Sequence, residues 1–125
     1  MVTTRTVEGI ESLLSTLDEY KSSQDVYVLF CGGIDPATGK SWCPDCVTAE
    51  PIVEEGLKKA AECSIFIHCN VGDRSYWKDP NNEFRKHPEF KLTAVPTLLK
   101  HGTPNRLVED ECAKKELVEM LFEED

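Results

Sequence analysis

Two β-prone runs with a helical segment between them restrict the fold of this 125-residue chain more than any other feature. Val26 to Cys31 is continuously apolar, as expected for a strand buried on both faces. Ser64 to Val71 is a second β-prone run, and the residues from Pro44 to about Glu62 follow helical spacing. A strand, a helix and a second strand in this order predict an α/β layer with a parallel portion.

The flanking segments add helices and a terminal hairpin. Apolar residues at helical spacing predict a first helix from Val7 to Tyr20 with Thr6 as its N-cap. Further predicted elements are a short helix at 83–90, strands at 97–101 and 106–109, and a last helix at 112–122. We predict one domain over residues 1–125, with a central mixed sheet of about four strands flanked by helices.

The acidic composition excludes two classes of partner. The net charge is −9, whereas nucleic acids and anionic membranes are bound by basic surfaces. No apolar run approaches the roughly 20 residues of a membrane helix, and Met1 to Gly9 holds no apolar signal-peptide core. We therefore expect a cytoplasmic protein, in which the six cysteines stay reduced and a close pair serves catalysis or metal binding.

Cys43 and Cys46 form a Cys-x-x-Cys pair at the predicted start of the second helix. Unpaired N–H groups and the positive end of the helix dipole stabilise a thiolate there, and the thiolate is the form that attacks disulfides. Pro44 suits the first helical position, and the negative charge of Asp45 suits the first turn. This pattern predicts a thiol–disulfide oxidoreductase with Cys43 as the nucleophile and Cys46 as the resolving thiol.

The order of the elements and three local features together resemble the thioredoxin superfamily. These features are Trp42-Cys43-x-x-Cys46, Pro51 inside the helix, and Val95-Pro96-Thr97 before the penultimate strand. The form Trp-Cys-Pro-Asp-Cys is similar to a small cytosolic thioredoxin-related subfamily. Segments 76–82, 94–99 and 117–122 resemble that subfamily too, so the likeness covers essentially the whole chain.

This resemblance implies a monomeric disulfide reductase with no bound cofactor, which takes electrons from NADPH through thioredoxin reductase. The implied substrates are cystine, other small disulfides and selected cytosolic proteins, including a dynein light chain and components of inflammatory signalling. Thioredoxin-type sites lower the pKa of the attacking thiol to about 7.

The resemblance also assigns roles around the dithiol. Pro96 is expected to be cis and to pack against the disulfide, and the backbone of Val95 to hold an extended substrate. Trp42 is expected to be a partly exposed platform beside Cys43, and the pair Pro44-Asp45 to tune the redox potential. Leu29 lies near the position of the buried acid of thioredoxins, which leaves a buried base without an assigned residue.

Three alternatives remain open from the sequence. The first is a redox-gated adaptor that binds a signalling partner. The second is a zinc site formed by Cys43 and Cys46 with His68 and Cys69; adjacent strand residues point to opposite faces, so we expect no metal. The third is a peroxidase.

Other residues also allow two interpretations. Cys31, Cys63, Cys69 and Cys112 serve packing or form a regulatory disulfide. Two roles are open for Tyr76, Trp77 and Lys78: they line a substrate groove, or they only hold their loop in place by packing.

Overall fold

The computed structural model describes residues 2–23 and 25–123 and contains a five-stranded mixed sheet with strand order β1-β5-β2-β6-β7. The strands are β1 Thr3–Glu8, β2 Val26–Cys31, β3 Ile34–Asp35, β4 Lys40–Ser41, β5 Ile65–Asn70, β6 Thr97–Lys100 and β7 Arg106–Val108. The helices are α1 Gly9–Glu19, α2 Pro44–Gly56, α3 Arg74–Lys78, α4 Glu83–Lys86 and α5 Lys115–Glu123. Strands β3 and β4 form a separate two-stranded hairpin.

The sheet combines both strand orientations, as the sequence predicts. Strand β5 is parallel to both of its neighbours, β1 and the central strand β2. Strand β6 is antiparallel to β2, and β7 completes the predicted hairpin. The fold class is therefore confirmed, with five strands in the main sheet.

Aromatic contacts show which segments cover the two faces of the sheet. The ring of Phe122 in α5 packs against Tyr27 and Phe66, which are paired in register on one face. On the other face, Phe30 packs against Phe84 in α4 and against Phe90. Helix α2 lies beside α5, because a Cβ atom on Gly56 would meet Val118 Cγ1 at 2.5 Å. The dithiol at the start of α2 is thus anchored to the face that carries Tyr27.

The prediction of a helix from Val7 with Thr6 as its N-cap is wrong. Both residues belong to β1, which pairs with β5 and buries Val7. The helix begins at Gly9, whose φ of +83° favours glycine and turns the chain from strand into helix. The pairing gained by an exposed, threonine-rich edge strand outweighs the helical spacing that Val7 suggested.

Several helix bounds also differ from the predicted ones. Helix α2 ends at Gly56 and continues as a 3₁₀ turn at Leu57–Lys59, and the short helix after residue 82 ends at Lys86. Residues 109–113 form a 3₁₀ helix, so the last helix begins at Lys115. The polar segment after β5 contains α3, because the Asp73 side chain caps it by accepting the Tyr76 N–H at 2.8 Å.

Candidate redox site

Cys43 occupies the N-cap of α2, one position before Pro44. Its backbone is extended, with φ −97° and ψ 108°, and Pro44 follows at the first helical position. The Cys46 N–H donates to Cys43 Sγ at 3.3 Å. The sulfur thus receives one of the backbone donors that the start of a helix leaves unpaired.

The residues before Cys43 hold it against the end of β2. The Cys43 N–H donates to Ser41 Oγ at 3.2 Å, and Ser41 Oγ donates to the Gly32 carbonyl at 2.9 Å. The Trp42 indole N–H donates to the Gly72 carbonyl at 2.8 Å, and Arg74 donates to the Trp42 carbonyl at 2.8 Å. The Trp42 ring is partly exposed and lies beneath the Arg74 guanidinium. This arrangement joins the active-site loop to the loop after β5.

The loop before β6 approaches Cys43 from the other side. The Val95–Pro96 peptide bond is cis, as expected from the resemblance. Cys43 Sγ donates to the Val95 carbonyl at 3.7 Å, and both residues are largely buried. The structure therefore brings together Trp42, Cys43, Pro44, Asp45, Cys46, Val95 and Pro96, which are the site residues named from the sequence.

A third cysteine lies behind the dithiol. Cys31, the last residue of β2, is fully buried and is hydrogen bonded to the fully buried Cys46. The hydrogen bond from Cys31, together with one from Cys43, lowers the pKa of Cys46 to about 7 against the effect of burial. Burial and the neighbouring Cys46 sulfur raise the pKa of Cys43 to about 12, although N–H groups at the helix start lower it. The same neighbour and burial raise the pKa of Cys31.

These opposed shifts mean that the three thiols share one negative charge. The first proton leaves easily because the S–H groups of Cys31 and Cys43 can turn from the Glu50 carboxylate and the Val95 carbonyl to donate to the Cys46 thiolate. The charge on that thiolate then opposes ionisation of both neighbours. All six cysteines are free thiols, so the site is in its reduced state.

A carboxylate and an imidazole continue the cluster. Glu50 follows Cys46 by one helical turn, and its Oε1 accepts from His68 Nε2 at 3.1 Å. The hydrogen bond from His68 lowers the pKa of Glu50 despite partial burial, and Cys31 is hydrogen bonded to the same carboxylate. An acidic group therefore reaches the dithiol from α2 rather than from Leu29, which is buried in β2 without a charge.

From the sequence, His68 is connected with the dithiol only as a candidate zinc ligand together with Cys69, and no prediction connects Cys31 or Glu50 with the dithiol. The four-residue spacing from Cys46 to Glu50 was a visible signal, since such residues share one face of a helix. Cys31 and His68 lie on different strands, so only the register of β2 and β5 brings them together.

The other candidate residues serve packing. Trp77 is buried, its carbonyl accepts from Asn82 and Arg85, and the Arg85 guanidinium lies over its ring. Trp77 thus pins its loop, whereas Tyr76 remains 38% exposed. Burial raises the pKa values of Cys69 and Cys112 to about 12, and Cys63 is exposed.

Comparison with known proteins identifies the family of the chain. Residues 5–124 match the family described as thioredoxin domain-containing protein 17-like, thioredoxin domain. The chain belongs to this family. It is 55% identical to human thioredoxin domain-containing protein 17 over 119 residues, which cover 95% of this chain and 94% of the human protein. The mouse protein of the same name is 53% identical over the same shares of the two chains.

The fold of this thioredoxin domain-containing protein 17-like chain is also found among solved structures. A crystal structure of reduced Schistosoma mansoni thioredoxin pre-protein superposes with a TM-score of 0.56 and 22% identity, covering 94% of this chain and 98% of the other. The protein is therefore a thioredoxin-fold protein of a family with redox character. Within residues 2–23 and 25–123, no helix has the length and apolarity needed to cross a membrane.

Proposed function

We propose that this protein is a disulfide reductase in which Cys43 attacks the substrate disulfide and Cys46 resolves the mixed disulfide. The observation that carries the proposal is the position of Cys43 Sγ. It lies at the start of α2, accepts the Cys46 N–H at 3.3 Å and faces the Val95 carbonyl at 3.7 Å. Cys43 keeps 6% of its surface exposed whereas Cys46 keeps none, so Cys43 is the sulfur that meets the substrate first.

In the first step Cys43 passes its proton to the hydrogen-bonded Cys46 thiolate as it attacks. A bond forms between Cys43 Sγ and one substrate sulfur, the substrate S–S bond breaks, and the second substrate sulfur leaves as a thiolate. Charge thus moves from the buried sulfur to the reacting sulfur without adding a second negative charge to the cluster.

In the second step Cys46 must lose this proton again. The hydrogen-bonded chain through Cys31 leads to the Glu50 carboxylate, which the hydrogen bond from His68 keeps ionised at neutral pH. The Cys46 thiolate then attacks Cys43 Sγ, and the substrate sulfur that was bonded to Cys43 leaves as the other thiolate. Two electrons pass to the substrate, and Cys43 and Cys46 become a disulfide.

A groove beside Trp42 supports small charged disulfides as substrates. It has a volume of about 460 Å³ and is lined by Asp35, Trp42, Asp73 and Arg74 among others. Cystine carries ammonium and carboxylate groups at both ends, which match the two carboxylates and the guanidinium of the groove. We propose cystine and selected cytosolic protein disulfides, a dynein light chain among them, as substrates of a cytoplasmic monomer.

The proposed electron source is NADPH through thioredoxin reductase, with no cofactor bound to this chain. The test measures NADPH consumption with thioredoxin reductase and cystine for the wild type and for Cys43→Ser. We expect the wild type to consume NADPH and Cys43→Ser to consume none. Absence of turnover with cystine and with protein disulfides, from a protein that oxidises and is reduced again, would refute the reductase and favour the adaptor.

The groove allows a sharper second measurement. Arg74→Gln is expected to raise the KM for cystine and to leave the KM for bis(2-hydroxyethyl) disulfide unchanged, because the second substrate carries no carboxylate. An equal change for both substrates would show that Arg74 acts only by supporting the Trp42 loop.

A further inference from the structure

The metal-ligating atoms of Cys31, Glu50 and His68 converge beneath the dithiol, and Cys46 of the dithiol lies next to Cys31. Cys46 and Glu50 are separated by four residues in α2 and share one helix face. His68 is paired with Leu29, and Cys31 lies two residues beyond Leu29, so Cys31 and His68 point to the same face of the sheet. Helix α2 lies over that face, as the contact between Glu50 and His68 shows.

The distances suit a single metal ion. The ligating atoms of Cys31, Glu50 and His68 all lie within 4.8 Å of one another, and Glu50 Oε1 is 3.1 Å from His68 Nε2. Zinc–ligand bonds of about 2.0–2.3 Å in a tetrahedron separate neighbouring ligands by about 3.3–3.8 Å. Small rotations of these side chains therefore suffice to place one ion between them. Cys46 lies outside this group of three but next to Cys31, so its sulfur must move toward the ion to become the fourth ligand.

The chemistry of the four ligands favours zinc. Thiolate, imidazole and carboxylate are the ligands that zinc uses in proteins, whereas calcium and magnesium prefer oxygen alone. Both sulfurs are fully buried, which makes the inner side of the site dry. The His68 and Glu50 side chains are 29% and 33% exposed, which gives an ion a path from solvent.

We propose that the reduced protein binds one Zn²⁺ through Cys31, Cys46, Glu50 and His68. This ligand set differs from the one considered from the sequence, because Cys31 and Glu50 take the places of Cys43 and Cys69. Cys69 pairs with Phe30 and points to the opposite face of the sheet. Zinc in this site holds the Cys46 sulfur and prevents it from resolving a mixed disulfide.

Oxidation of the dithiol opens the site, a consequence that rests on the proposed function whereas the binding itself does not. When Cys43 and the zinc-bound Cys46 thiolate form a disulfide, two electrons pass to the oxidant, Cys43 gives up its one thiol proton, and the bond between Cys46 and zinc breaks. Cys46 then no longer offers a thiolate, and three ligands remain. The zinc ion leaves without a change in its own oxidation state.

The test measures zinc bound to the full chain without any substrate. Reduced protein is freed of reductant under argon, incubated with ZnCl₂ and passed through a desalting column, and bound zinc is measured by mass spectrometry. One zinc per chain is expected for the wild type and for Cys43→Ser. Cys31→Ala and His68→Phe are expected to bind more than about 100-fold more weakly, a greater loss than removal of a supporting residue causes.

Matched variants separate the ligand effect from damage to the fold. His101→Phe and the exposed Cys63→Ser are expected to bind zinc as the wild type does. His68→Phe alters a partly exposed residue, so it tests the site even if Cys31→Ala fails to fold. Loss of zinc in Cys43→Ser with retention in His68→Phe would overturn the proposal, because it would identify simple chelation by the dithiol. Absence of zinc from the reduced wild type would overturn it as well.

A second arm tests the coupling to oxidation independently of any reductase activity. Diamide oxidises the zinc-loaded protein, and a zinc-sensitive dye records the released ion. Release of one zinc per disulfide is expected, and retention of zinc by the oxidised protein would refute Cys46 as a ligand. If cystine reduction fails while zinc binding follows the variants above, only the proposed function is refuted.

Discussion

Substitution of Gly32 by alanine tests whether the Trp42 ring depends on this glycine for its place beside the nucleophile. A Cβ atom on Gly32 would lie 2.5 Å from Trp42 Cε2, 2.7 Å from Cζ2 and 2.9 Å from Cδ2. Carbon atoms in contact prefer about 3.5–4.0 Å, so the ring must retreat by about 1 Å. Such a shift lengthens the hydrogen bond from the indole N–H to the Gly72 carbonyl, which is 2.8 Å in the structure.

The expected cost follows from these contacts. Overpacking costs about 1–3 kcal/mol, and loss of the indole hydrogen bond costs about 1 kcal/mol. Gly32 lies outside the left-handed region, so alanine also restricts the unfolded chain, which stabilises the protein by about 0.4–1 kcal/mol. We expect Gly32→Ala to lower the free energy of unfolding by about 1–3.5 kcal/mol, the difference between these opposing effects.

The effect of Gly32→Ala on the free energy of unfolding should disappear or change sign when the indole is absent. In a Trp42→Ala background the three nearest atoms to the new Cβ are gone, and Gly32→Ala is expected to be neutral or to stabilise the protein by up to about 1 kcal/mol. Urea denaturation of the four proteins, followed by far-ultraviolet circular dichroism, completes the double-mutant cycle. Equal costs in both backgrounds, within about 0.5 kcal/mol, would refute the packing of Trp42 on Gly32.

Three further predictions concern the dithiol. Between about pH 7 and pH 8 folded Cys46 has lost a proton that it holds in the unfolded chain, so the free energy of unfolding should rise with pH. Urea denaturation should show a smaller rise for Cys46→Ala, and equal slopes would contradict the lowered pKa. Glu50→Gln should slow resolution of the mixed disulfide in stopped-flow assays, about 100-fold at neutral pH and less at high pH. Substitution of the exposed Glu54 by glutamine is the control, and a loss of rate independent of pH would argue against proton transfer through Glu50. Replacing Pro44-Asp45 by Gly-Pro should shift the redox potential and broaden the substrate range, and an unchanged potential in a glutathione titration would contradict this role.

The central strands were predictable because strands buried on both faces consist of apolar, β-prone residues. Every residue of β2 is buried, and the β-branched and aromatic residues of its short sequence Val-Tyr-Val-Leu-Phe-Cys favour a buried strand. Strand β1 has the opposite character: it lies at the sheet edge, and of its six residues only Val7 is buried. A single apolar residue fits helical and strand spacing equally well. Pairing with β5 therefore determines that Val7 lies in a strand, and this pairing cannot be predicted from the sequence of β1 alone.

The arrangement of the dithiol residues, the outer half of the site, was predictable because it is local in sequence. Cys43, Pro44 and Cys46 are positioned by the start of one helix, so their relation follows from sequence spacing. The inner half joins α2 to β2 and β5, and its geometry depends on register and helix packing. The sequence accordingly leaves Cys31 as a packing residue or part of a regulatory disulfide and offers His68 as a zinc ligand only together with Cys69. The structure places the ligating atoms of Cys31 and His68 within 4.8 Å of each other.

The position of Cys46 between these two halves gives the proposed zinc site a thermodynamic consequence. One sulfur cannot be both a zinc ligand and half of a disulfide, so zinc binds the reduced state in preference to the oxidised one. At a free zinc concentration 100 times the Kd, this preference stabilises the reduced protein by about 2.7 kcal/mol. For a two-electron couple that energy raises the reduction potential by about 60 mV. Zinc would therefore make the protein a weaker reductant, and removal of Cys31 or His68 should abolish the dependence of the potential on zinc while Cys43 and Cys46 still form their disulfide.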